Sequence, residues 1–80
     1  KGQILACYEQ QLRVDRDLAG KVEVLWTVGP DGFVSGVVIE SNTTGSKELE
    51  ECVARRIKRW RFPEQEEEFE ITYPFSFFSS

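Results

Sequence analysis

Residues 21–41 read KVEVLWTVGPDGFVSGVVIES. In the first part of this stretch Val22, Val24, Trp26 and Val28 alternate with Lys21, Glu23, Leu25 and Thr27. A period of two sends one set to each side of an extended chain, so the pattern is that of a strand with one buried face. Gly29-Pro30-Asp31-Gly32 follows, a turn cluster carrying the hairpin dipeptide Asp-Gly. Phe33 to Ser41 then returns as a second strand. Its apolar residues Val34, Val37 and Ile39 break simple alternation, which predicts a bulge near Ser35-Gly36. The result is a hairpin with one apolar face to be covered.

The cover lies on both sides of it. Upstream, Ile4, Tyr8 and Leu12 recur at helical spacing with Cys7 beside them, and the pattern fades through a polar stretch, Val14 to Ala19, that ends at Gly20. Downstream, Ser46 is an expected N-cap with Glu48, Glu50 and Glu51 near the first turn. Leu49, Cys52, Val53, Ile57 and Trp60 form an apolar stripe, basic residues crowd the C-terminal end, and Pro63 is the expected stop. Phe69, Ile71, Tyr73, Phe75 and Phe77 then alternate with Glu70, Thr72, Pro74 and Ser76, which reads as a third strand.

The order α-β-β-α-β, with one apolar face per element, predicts a two-layer α+β domain over residues 1–80, both helices lying on one face of the sheet. A helical, right-handed crossover returns strand 3 antiparallel to strand 1. The three-stranded antiparallel sheet then has the order 2-1-3, with strand 3 at an edge. Pro74 agrees, because proline inside a strand belongs at an edge.

At 80 residues the chain holds one modest core, rich in large rings: two Trp, two Tyr and six Phe. The net charge of −4 makes nucleic acid an unfavourable partner. His is absent, which removes the commonest general base and metal ligand. Ser has no His partner, and there is no phosphate loop or dinucleotide fingerprint. We therefore expect no enzyme, no cofactor and no metal. No apolar run approaches the roughly 20 residues of a membrane span, so this segment is not expected to insert into a membrane.

The succession Cys7-Tyr8, Gly20-Lys21-Val22, Asp31-Gly32-Phe33-Val34, Cys52-Val53, Trp60-Arg61-Phe62-Pro63 and Tyr73-Pro74-Phe75 resembles the TonB C-terminal domain family. The likeness runs from about Ile4 to Phe77. The paired cysteines look more like the AgmX/PglI-type branch, associated with gliding motility, than like iron-uptake TonB. The resemblance implies a periplasmic domain at the end of a longer chain anchored in the inner membrane. Such a domain grips a peptide segment of an outer-membrane or envelope protein by strand addition, while an inner-membrane motor complex acts through the parent chain.

Cys7 and Cys52 lie on helices expected over the same sheet face. They could pair or remain free buried thiols; the oxidising periplasm implied by the resemblance favours a disulfide. Two cysteines so far apart lack zinc-ligand spacing. Arg55, Arg56, Lys58, Arg59 and Arg61 read as a solvated helix end rather than an anion site. The acidic run Glu64, Glu66, Glu67 and Glu68 either selects a basic partner or keeps an edge soluble. Glu70, Thr72, Pro74 and Ser76 are the expected partner-binding edge. Two other functions compete: a purely structural anchoring module, and self-association through exposed edges.

Overall fold

The computed structural model describes residues 2–78. Helix α1 (Gly2–Leu12) is followed by β1 (Gly20–Val28), β2 (Val34–Asn42), α2 (Lys47–Lys58) and β3 (Phe69–Phe77). The sheet is antiparallel with the order β2-β1-β3, as the residue pattern predicts. Val22, Val24, Trp26 and Val28 of the central strand are buried beneath Leu49, Cys52, Val53 and Ile57 of α2 and Ile4, Cys7 and Tyr8 of α1.

The bulge expected near Ser35-Gly36 is present: Thr27 pairs with Gly36, but Val28 pairs with Val34, leaving Ser35 unmatched. A second bulge, unforeseen, leaves Glu40 unmatched between Ser41 and Ile39. Each extra residue reverses the phase of alternation, so Val34, Val37, Ile39 and Asn42 all stand opposite buried residues of β1. The second bulge thereby turns Asn42 toward α2. Its Nδ2 donates to the Ser46 carbonyl at 3.1 Å and to Glu50 Oε1 at 3.0 Å, while its Oδ1 accepts from the Thr44 N–H at 2.9 Å. Ser46 Oγ accepts from the Leu49 N–H at 3.1 Å, as an N-cap should.

The hairpin tip is a three-residue loop, Pro30-Asp31-Gly32, closed by the Gly29 N–H on the Phe33 carbonyl at 2.9 Å. Only Gly32 has a positive φ there, at 86°, so Asp-Gly is not the central pair of a two-residue turn. Asp31 instead accepts from the Phe33 N–H at 3.0 Å through its carboxylate.

Two helix-level expectations are corrected. Helix α2 ends at Lys58, well before Pro63, because the Arg59 and Trp60 N–H groups turn to carbonyls three residues back, at 3.1 and 3.0 Å. Trp60 leaves the helix and sets its ring edge-to-face on Trp26, centroids 5.6 Å apart. Leu18, within the supposed polar stretch, is buried, and its carbonyl accepts the Tyr8 hydroxyl at 2.7 Å.

Trp60 is half-buried, and its indole N–H donates to Gln3 Oε1 at 3.1 Å. Trp60→Ala should therefore cost about 2 kcal/mol, less than the ~3–5 of a fully buried ring. Urea unfolding measures it, and a loss under ~0.5 kcal/mol would mean that the Trp60 ring adds nothing to the core.

Candidate functional site

Among the described residues β3 has one neighbour, β1, and its other edge is open. Which residues serve that edge follows from the hydrogen bonds of β1. The Lys21 carbonyl accepts from the Thr43 N–H at 2.8 Å, and the Lys21 N–H donates to Thr43 Oγ1 at 2.8 Å, so Lys21 directs both main-chain groups toward the β2 side. Sides alternate along a strand, so Gly20, Val22, Val24, Trp26 and Val28 direct theirs toward β3. The β1–β3 register is unbroken from Gly20↔Phe77 to Val28↔Phe69. Phe69, Ile71, Tyr73, Phe75 and Phe77 thus exchange bonds with β1. Glu70, Thr72 and Ser76 turn their N–H and C=O outward, and Pro74 turns out its carbonyl alone. Pro74 therefore costs the sheet no bond. All four even-numbered side chains are exposed.

The helix-side face of β3 is incompletely covered. α1 packs chiefly against α2 and meets β3 at Tyr8 on Phe77, leaving a groove of about 720 Å³ between Leu5 and Tyr8 on one wall and Tyr73 and Phe75 on the other. Trp26 and Trp60 also line it. Tyr73 is 52% exposed, Leu5 53% and Phe78 74%, an apolar rim continuous with the open edge. Beneath it, Phe75 stacks on Trp26 with centroids 6.3 Å apart, and Tyr8 leans on Phe77 at 5.2 Å. The buried indole N–H of Trp26 has no hydrogen-bond partner among the described residues.

Cys7 and Cys52 are disulfide-bonded with Cα atoms 5.8 Å apart, and both are buried. The bond fixes α1, one wall of the groove, to α2. Arg61 leaves the basic cluster to stack its guanidinium over Phe33, 4.0 Å from the ring centroid. Glu64 and Glu66–Glu68 are exposed in the connection that leads into β3. The groove is the feature that the sequence reading missed. Its signal was the surplus of large rings on β3, more than α1 can cover. No group of His, Cys, Asp and Glu among the described residues could hold a metal ion, and no helix is long and apolar enough to cross a membrane.

The family model described as Gram-negative bacterial TonB protein C-terminal matches residues 11–78. The chain belongs to the TonB C-terminal family. TonB C-terminal domains are periplasmic in Gram-negative bacteria and generally bind envelope or outer-membrane proteins. No curated protein and no solved structure matches this TonB C-terminal domain.

Proposed function

We propose that this domain grips an extended segment of an envelope partner by strand addition to the open edge of β3. It acts without enzymatic chemistry, as the binding end of a longer protein anchored in the inner membrane and coupled to a motor complex there. The observation that carries this reading is the state of the two sheet edges. β3 offers nine residues in unbroken register, with outward donors and acceptors at Glu70, Thr72 and Ser76. β2 is interrupted by bulges at Ser35 and Glu40, which twist an edge away from further pairing. Strand addition draws affinity from main-chain bonds and selectivity from alternate side chains, and both are on offer at β3. The bonded cysteine pair further supports a place in the gliding-motility branch rather than in iron uptake, because that pair carries the likeness to it.

Thr72→Pro tests the edge. The substitution deletes one outward N–H, and the donors that serve β1 are on the other residues. Outer-membrane proteins retained by the immobilised, disulfide-bonded domain supply the ligand, and the bound segment is then made as a peptide. We expect a folded variant that binds this peptide at least ~10-fold more weakly, the equivalent of one lost main-chain bond of about 1.4 kcal/mol. Undiminished binding by a folded Thr72→Pro domain would move the site away from β3, with the β2 edge near Val38 as the next candidate.

A further inference from the structure

β3 is flanked by two different surfaces, and together they specify what kind of strand fits beside it. Toward its C-terminal end lies the apolar groove, with Tyr73 and Phe75 on one wall and Leu5 on the other. At its start lies a hollow of about 680 Å³ along Gln65–Phe69, lined by Glu66, Glu67 and Glu68. Glu70 continues this acidity on the open face of the sheet. Its cross-strand neighbours are Thr27 and then Gly36, so no cation stands opposite it in the ladder.

A strand added to the open edge would place its side chains by the same period of two. Residues opposite Ile71, Tyr73 and Phe75 fall on the helix side, the last two over the groove. Those opposite Glu70, Thr72 and Pro74 fall on the open face. Opposed Cβ atoms in a ladder stand about 4.5–5.5 Å apart, so each partner side chain meets the one across from it. Over Tyr73 and Phe75 that neighbour must be a bulky apolar group, because only such a group removes the half-exposed Tyr73 ring, the remaining surface of Phe75 and the Leu5 and Phe78 rim from water. Opposite Glu70 a cation makes the favourable pair, and a like charge is destabilising.

Resting on the strand-addition reading, we infer that the partner segment of this domain is a basic, amphipathic strand. Running antiparallel to β3, as every pair in this sheet does, it presents bulky apolar residues opposite Phe75 and Tyr73. A Lys or Arg follows three positions after the second of them, opposite Glu70, and further basic residues lie beside Glu66–Glu68. In sequence order the pattern is bulky, any, bulky, any, any, basic. The alternation sets this spacing: Tyr73 and Glu70 lie on opposite faces, so their partners must differ by an odd number of positions.

The probe is the synthetic peptide Phe-Thr-Phe-Thr-Val-Lys-Thr-Lys, blocked at both ends, added to the isotopically labelled, disulfide-bonded domain. Backbone amide shifts locate the contact and titration gives the affinity. We expect shifts centred on Glu70, Thr72 and Ser76. Changing both Lys to Glu, or both Phe to Ser, should each weaken binding at least ~10-fold. The charge effect should shrink at high salt, where exposed charges are screened. Glu70→Lys in the domain should reverse the preference at the first Lys position, favouring a peptide in which that Lys alone is Glu. Since Glu70 is exposed, this variant leaves the core intact. Shifts at β3 of equal strength for the Lys, Glu and Ser peptides would overturn this inference and leave strand addition standing. An absence of β3 shifts with every peptide, while the domain is folded, would overturn both.

Discussion

Replacing Cys7 and Cys52 together with Ala should lower the unfolding free energy by ~4 kcal/mol, the chain-entropy value for cysteines 45 residues apart. By size alone a domain of this length has a total of roughly 4–12 kcal/mol, so the loss is a large share. The effect should fall first on α1. That helix has eleven residues, no acidic residue in its first turn and no basic one in its last, and it buries only Ile4, Cys7 and Tyr8. Isolated helices this short are marginal in water. Without the bond, α1 would be held by Tyr8 on Phe77 and Leu18 and by Gln3 on Trp60. Urea unfolding measures the global loss, and amide exchange should show α1 opening at a lower free energy than the sheet. A global loss under ~1 kcal/mol, or equal protection of α1 and β1, would show that the bond does not hold α1 in place. Because α1 forms one wall of the groove, the same variant should weaken binding of the apolar half of the partner strand.

The second large effect is expected at Gly32→Ala. With φ at 86°, Gly32 has a conformation that costs a residue with a Cβ about 1–2 kcal/mol. A methyl group there would also overlap the Phe62 carbonyl oxygen. The hairpin tip and the connection after α2 lie against each other, joined by the Phe62 N–H on the Gly32 carbonyl at 2.9 Å and the Gln65 N–H on the Pro30 carbonyl at 3.0 Å. Forcing them apart loses those bonds at about 1 kcal/mol each, for a total of roughly 3–4 kcal/mol. The connection also carries Trp60 to the groove and the acidic run to the start of β3, so binding should weaken as well. Gly36→Ala is the control: nothing lies within 4 Å of its added methyl and its φ is not positive. It should change stability by less than ~1 kcal/mol. Equal, small effects at the two glycines would show that the tip is free to move away from Phe62.

Elements with one period and one buried face were legible in the sequence. β1 and β3 keep a strict alternation, α2 has a cap at Ser46 and a continuous stripe to Ile57, and these set the sheet order and the face that the helices cover. The open edge residues followed from Pro74 by the same logic, because a missing donor is a property of the chain itself. The end of α2 was not legible. Proline can stop a helix but does not determine where it stops, and here the chain leaves the helix after Lys58 and sets Trp60 against Trp26. Nor was the burial of Leu18, a single apolar residue without a periodic neighbour, which depends on Tyr8 reaching its carbonyl.

By itself, then, the sequence determined everything that depends on local period and local chemistry: five elements, an α+β sheet of order β2-β1-β3, and an edge strand with one outward donor missing. Tertiary structure alone decided the rest. The second bulge at Glu40 exists because Asn42 finds partners on α2, groups distant from the strand's own pattern. The pairing of Cys7 with Cys52 depends on the distance between two helices, which no spacing along the chain specifies. The groove arises because α1, drawn toward α2, leaves Tyr73 and Phe75 partly uncovered. Its depth is a difference between the surface that β3 offers and the surface that α1 can reach, and such a difference forms only when the elements pack.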